Sequence, residues 1–207
     1  MVLFEDLNEM QLDALKEIGN IGAGNAATAL SKMVGKRVNM EVPLVRILPL
    51  KDVPEWLGGP EKEVVGVYLS VFGALAGHIL FVMTIDDALK IMRILLGDMA
   101  PSRDQILSMD ELASSAIGEI GNILSSSYLS ALADFTGLHL NHSVPAIAVD
   151  MAGAIVDAVL IEISQHSDYA LLIETVFVEE EDRITGYFML IPDTGSLEII
   201  LQALGVV

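Results

Sequence analysis

The chain has no cysteine, which excludes a disulfide framework and any thiol chemistry. Basic residues are scarce: 11 Lys and Arg stand against 29 Asp and Glu, giving a net charge of −18. Such a surface repels phosphate backbones and anionic lipid, so neither nucleic acid nor membrane insertion is expected. The charge keeps an apolar-rich protein soluble and suits a basic partner. There is no run of about 18 uncharged apolar residues, so no membrane-spanning helix is expected. The opening Met1-Val-Leu-Phe-Glu-Asp6 lacks the basic stretch of a signal peptide, and a cytoplasmic location is the expectation. What is abundant is apolar surface: 53% of residues are hydrophobic and mean hydropathy is +0.57. That points to a large core with strands covered on both faces.

One short pattern occurs twice. Asp13-x3-Glu17-x2-Asn20 is followed, after 22 residues, by Pro43; Ser115-x3-Glu119-x2-Asn122 is followed, again after 22, by Pro145. A gapless superposition of 13–43 on 115–145 gives 12 identities in 31 positions, where chance gives roughly two. The chain is internally duplicated, and its halves are assigned to about 6–105 and 106–207 of a single pseudo-twofold domain. At about 100° per residue, positions 13, 17 and 20 fall within about 60° on one helical face, as do 115, 119 and 122. Solvated polar stripes would be expected to drift after duplication. A Glu and an Asn retained in both copies point instead to a function on each.

Both motif helices carry capping-box spacing upstream, in Asp6-Leu-Asn-Glu9 and Ser108-Met-Asp-Glu111. They are expected to run to about Val34 and Thr136, with Gly35 and Gly137 as stops. Strands are expected at Arg37–Val42, Val45–Leu50, Val64–Phe72 and Ala76–Thr84, and again at Leu138–Val144, Ala146–Val149, Tyr169–Val178 and Ile184–Ile191. Val178-Glu-Glu-Glu-Asp-Arg183 reads as a charged hairpin. Helices are expected at Asp86–Leu96, in the first part of Ala152–Ile163, and at Gly195–Leu204. Proline cannot donate to a ladder, so Pro43 and Pro145 belong at a strand end or sheet edge. The order implies an α/β (α+β-like) sandwich, with two long helices on a largely antiparallel sheet.

Several apparent sites fail on context. Gly22-Ala-Gly-Asn-Ala-Ala27 matches a dinucleotide fingerprint, but a helix-favouring stretch precedes it rather than a strand, and the second copy reads Leu124-Ser-Ser-Ser-Tyr-Leu129. The glycines there are better explained by close helix packing. His78, His139, His142 and His166 are dispersed without metal-ligand spacing. Serines 114–115 and 125–127 have no nucleophile elbow and no matched base, so no nucleophile is expected among them. Glu17 and Glu119 each travel with an Asn, which argues against a glycosidase-like pair sharing one site.

An Asn carboxamide holds a water through donor and acceptor together, and a Glu one turn away can pair with a cation on another molecule. The combination suits a hydrolysis in which positioning provides most of the acceleration, as in phosphoryl transfer. The doubled Asp/Ser-x3-Glu-x2-Asn-x22-Pro pattern resembles the CheC group of the CheC/CheX/FliY phosphatases of bacterial and archaeal chemotaxis. That resemblance covers essentially the whole chain, and the added flagellar-switch domain of FliY-type members is not expected, since nothing extends past Val207 to hold one. It implies hydrolysis of the aspartyl phosphate of the response regulator CheY and a second partner, the receptor deamidase CheD. It also implies that Asn20 and Asn122 orient the attacking water and that Glu17 and Glu119 pair with the regulator's lysine. Asp13 and Ser115 open the motifs, and Pro43 and Pro145 are architectural. No cofactor of the chain's own is implied; Mg²⁺ would belong to the regulator. Asp150–Glu162 is a guess for the CheD surface. The competing expectation is a non-catalytic module that sequesters phosphorylated regulator or regulates CheD.

Overall fold

In a computed structural model the described residues are 7–163, 169–179, 182–193 and 195–206. The first half runs through α1 (Glu9–Val34), β1 (Asn39–Pro49), α2 (Val53–Trp56), β2 (Glu63–Gly73), β3 (Gly77–Thr84), α3 (Ile85–Leu96) and α4 (Arg103–Leu107). The second half holds α5 (Glu111–Thr136), β4 (Leu140–His142), β5 (Ala146–Met151), α6 (Ala152–Ile163), β6 (Tyr169–Glu179), β7 (Asp182–Pro192) and α7 (Ser196–Ala203).

One sheet takes strands from both halves, in the order β1-β6-β7-β3-β2-β4, with β5 also paired to β2. Every pairing is antiparallel. The hairpins β2–β3 and β6–β7 meet at the centre. Each half's remaining strand crosses over: β1 lies on β6, and β4 and β5 lie on β2. Read from either edge, the order is the same once the halves are exchanged, which is the pseudo-twofold expected of the duplication.

Strand residues alternate between two cores, as a period of two requires. Val65, Val67, Leu69, Ile79, Phe81, Leu171, Ile173, Phe188 and Leu190 face a core shared with α1, α3, α5 and α7. Val64, Leu80, Val82, Leu172, Met189 and Ile191 face a second core closed by α2 and α6. Covering both faces accounts for the near-continuous apolar strands and the high hydropathy. Among the described residues no helix is long and apolar enough to cross a membrane.

The long helices end where expected. Gly35 and Gly137 adopt left-handed φ of 70° and 68°, and their N–H groups donate to Ser31 and Ala133 carbonyls. Their starts differ from expectation by two residues. Asn8 caps α1: its side chain accepts from Gln11 N at 3.0 Å, while its own N–H donates to Gln11 Oε1 at 2.9 Å. Asp110 caps α5 by accepting from Ala113 N at 2.8 Å. Ser108 instead closes α4, and a turn at Met109 with φ 51° separates the two helices. The expected cap at Asp6, the tip residues Glu180 and Glu181, and His166 lie outside the described residues.

Three further differences have local causes. Val45–Leu50 is not a separate strand, because β1 continues through Pro43 with a register shift between Glu41 and Leu44. The expected strand Leu138–Val144 is cut to three residues, since pairing with β2 lapses before Pro145 and resumes at Ala146. Ala152–Ile163 is helical throughout, with Ile155, Val156 and Val159 buried over the sheet.

Candidate functional site

The retained block Glu-Ile-Gly-Asn-Ile divides between the inside and the outside of its helix. Leu15 and Ile18 on α1, and Ile117 and Ile120 on α5, are buried in the sheet-facing core. The glycine lets the helix lie close on a strand. A Cβ on Gly121 would come within 2.5 Å of Val67 on β2, so only glycine fits there. At Gly19 the same atom would stand 3.6 Å from Ile173 on β6, in ordinary contact. With its inward face packed in this way, each helix holds its outward residues on a rigid support.

Those outward residues are the ones singled out by the duplication. Asp13, Glu17 and Asn20 are exposed on α1; Ser115 and Glu119 are exposed and Asn122 half-buried on α5. Each trio shares one face, as the spacing requires. Among the described residues none of the six side chains makes a hydrogen bond or ion pair within the chain. Five of the six are open to solvent, where a partner can reach them, and Asn122 is partly covered.

The fold does not bring the two trios together. The strands following the two helices, β1 and β5, run in opposite directions in the sheet, so α1 and α5 pass each other antiparallel. They cross where Gly22 meets Tyr128: a Cβ on Gly22 would stand 2.5 Å from the ring and 3.0 Å from the backbone of Tyr128. Glu17 precedes Gly22 by five residues and Glu119 precedes Tyr128 by nine, so the carboxylates sit about 21 Å apart along the pair. A carboxylate pair acting on one glycosidic bond needs about 5–9.5 Å. The two faces are separate sites.

Pro43 and Pro145 occupy equivalent interruptions in the outermost strands. Pro43 lies at the register shift in β1, and Pro145 at the gap between β4 and β5. Both therefore stand where no ladder donor is needed.

The surroundings of the two sites differ in one feature that sequence reasoning missed. Ser126, one turn beyond Asn122, has its Oγ 2.8 Å from His142 Nε2. A serine and a histidine on different elements carry no spacing signal, and the expectation of no matched base for this serine cluster is corrected here. In the first copy Gly24 and Met40 stand at these positions. The fingerprint-like Gly22–Ala27 lies inside α1, with Gly22 covered by Tyr128. Tyr128 is itself stacked on Phe188 at 4.2 Å and bonded to Thr175 Oγ1 at 2.9 Å. Burial pushes its pKa up to about 12. Among the described residues no three His, Cys, Asp or Glu side chains converge as a metal site would require.

The CheC-like family model matches residues 10–47 and 112–149, which contain both motifs and both prolines. Over 99% of this chain and 99% of the relative, the sequence is 36% identical to CheY-P phosphatase CheC of Bacillus subtilis. The chain belongs to the CheC-like family. A second member-like relative, flagellar motor switch phosphatase FliY of B. subtilis, is 29% identical over 69% of this chain and 36% of its own length. Among solved structures, FliY of Thermotoga maritima superposes with a TM-score of 0.77 at 23% identity, covering 97% of this chain and 98% of that one. That likeness shows the CheC-like fold: a duplicated mixed helix and strand architecture around an antiparallel sheet.

Proposed function

We propose that the chain is a protein phosphatase that hydrolyses the aspartyl phosphate of a CheY-like response regulator at two sites. What carries the reading is the doubled, solvent-accessible Glu and Asn one turn apart, Asn122 half-buried and the other three exposed, with no side-chain partner of their own, in a chain whose B. subtilis relatives are phosphatases by name. In this reading Asn20 and Asn122 each orient the attacking water through the carboxamide's donor and acceptor. Glu17 and Glu119 each pair with a lysine of the regulator and so fix the docked geometry. Mg²⁺ belongs to the regulator, where it offsets phosphoryl charge, and the chain supplies position alone. Asp13 adds a carboxylate to the first site that Ser115 does not supply to the second. The two halves act as one cytoplasmic domain.

The decisive experiment mixes purified protein with phosphorylated regulator and follows inorganic phosphate. Catalytic release above the regulator's own rate supports the phosphatase. Binding without release would leave a sequestering module. For a second partner, CheD, we propose Asp150–Glu162 as the surface, a reading supported by the 78% exposure of Ile161 on α6. Ile161→Asp should then abolish CheD capture while phosphate release continues; intact capture would move the surface elsewhere.

A further inference from the structure

Ser126 follows Asn122 by four residues on the face of α5 that carries Ser115 and Glu119, which places their Cβ atoms about 5–6 Å apart. Both residues are half-buried. Ser126 Oγ lies 2.8 Å from His142 Nε2, and His142 Nδ1 lies 2.8 Å from the Ser143 carbonyl oxygen. A carbonyl can only accept, so Nδ1 bears the hydrogen and, in the neutral ring, Nε2 is the acceptor. The serine hydroxyl therefore donates to His142, and its oxygen lone pairs remain for another donor. This is the arrangement of an oxygen with a base behind it and a carbonyl fixing the base's tautomer. The first copy has Gly24 and Met40 in its place and so has neither group.

Resting on the phosphatase reading, we propose that Ser126 is a second group holding the attacking water at the Glu119/Asn122 site, with His142 as its positioning residue and transient proton acceptor. The water oxygen forms a bond to phosphorus as the bond from phosphorus to the aspartyl oxygen breaks. The regulator keeps a carboxylate, and phosphate leaves. One water proton passes to Ser126 Oγ while the serine proton passes to His142 Nε2; the imidazolium then returns it to phosphate or solvent. No further reactant is needed. The Glu17/Asn20 site works without this relay, through Asn20 alone.

The titratable groups on the elements packed around His142 are Glu119 and Asp134, each about two turns from Ser126 on α5, and His139 just before β4. On β2 the neighbours are the uncharged Ser70, Val71 and Phe72. The test uses the full chain with phosphorylated regulator in an Asn20→Ala background, which leaves the second site to turn over. There His142→Gln, which keeps an acceptor but loses the base, is expected to lower kcat about tenfold with KM within about twofold. It should also change the pH profile of turnover, which loss of a merely structural hydrogen bond would leave as it was. Ser126→Ala should match it, and it removes only a hydroxyl, so it decides alone if His142→Gln fails to fold. The loss should be several times larger than the same change produces in an Asn122→Ala background. Equal losses in the two backgrounds, or unaltered rate and pH profile for both variants, overturn the proposal. An inactive Asn20→Ala background overturns it together with the two-site reading, whereas an active background with unresponsive variants removes this proposal alone.

Discussion

Beyond Asn20, α1 continues with Gly22, Gly24, Ala26 and Ala27; at the same places beyond Asn122, α5 has Leu124, Ser126, Tyr128 and Leu129. One copy has small side chains where the other has larger ones. The two changes fit each other, because Tyr128 occupies the space above Gly22 and is anchored by Phe188 and Thr175. The outward Glu and Asn meanwhile stay identical. Residues that pack against the other half must complement it and so diverge as a pair. On the proposed function, residues that meet the same external partner are held alike. The comparison thus separates a core in which the two copies differ from a surface on which they agree.

The largest expected effect comes from removing both amides. Asn20→Ala and Asn122→Ala should each lower phosphate release in part, and the double variant should fall by about 10² or more while still binding regulator. Loss of all activity in either single variant would break the equivalence of the sites. Next, Glu17→Gln with Glu119→Gln should weaken regulator binding roughly tenfold as well as slowing turnover, since bonds to charged groups contribute about 1.5–3 kcal/mol. Unchanged affinity for an unreactive phosphoryl mimic by calorimetry would leave Glu without its docking role.

The core half of the comparison is tested by two glycines in the same helix. At Gly22 a methyl would meet a tyrosine that is stacked and hydrogen-bonded, so Gly22→Ala should destabilise by about 1–3 kcal/mol. At Gly24 nothing lies within 4 Å of the added Cβ, so Gly24→Ala should stabilise by about 0.5–1 kcal/mol. Melting temperatures should separate in opposite directions, by about 2–4 °C per kcal/mol. Shifts of the same sign would mean that the helix crossing is not where Tyr128 places it. The smallest expected effect is none: NAD or ATP should leave the melting temperature unmoved. A native-state ligand at 100 times its dissociation constant would contribute roughly 2.7 kcal/mol, and such a shift would reopen the Gly22–Ala27 fingerprint.

Features set by short-range chemistry were legible in the sequence. Gly35 and Gly137 stop the helices at the expected residue because only the backbone conformation there matters. The Glu and Asn stripes share a face because helical period alone decides it. The caps slipped by two residues because Asn8 with Gln11 offers the same bonding pattern as Asp6 with Glu9, and in the second copy α4 occupies Ser108. Strand exchange was not legible: alternation tells which face a strand buries but not which neighbour it chooses. The Ser126–His142 contact was hidden for the same reason, since the two residues meet only once β4 has taken its place beside β2.

That exchange has a consequence for cutting the chain. Gly19 of the first motif lies against Ile173 of the other half and Val42 of its own, while Gly121 of the second lies against Val67 of the other half and Gly118 against Ile147 of its own, so each helix is seated on strands from both halves. A chain divided near residue 105 would yield two fragments, each holding a complete motif and an incomplete floor beneath it. Each fragment would keep the part of the floor made by its own strands, β1 under α1 or β4 and β5 under α5, and lose the part supplied by the other half.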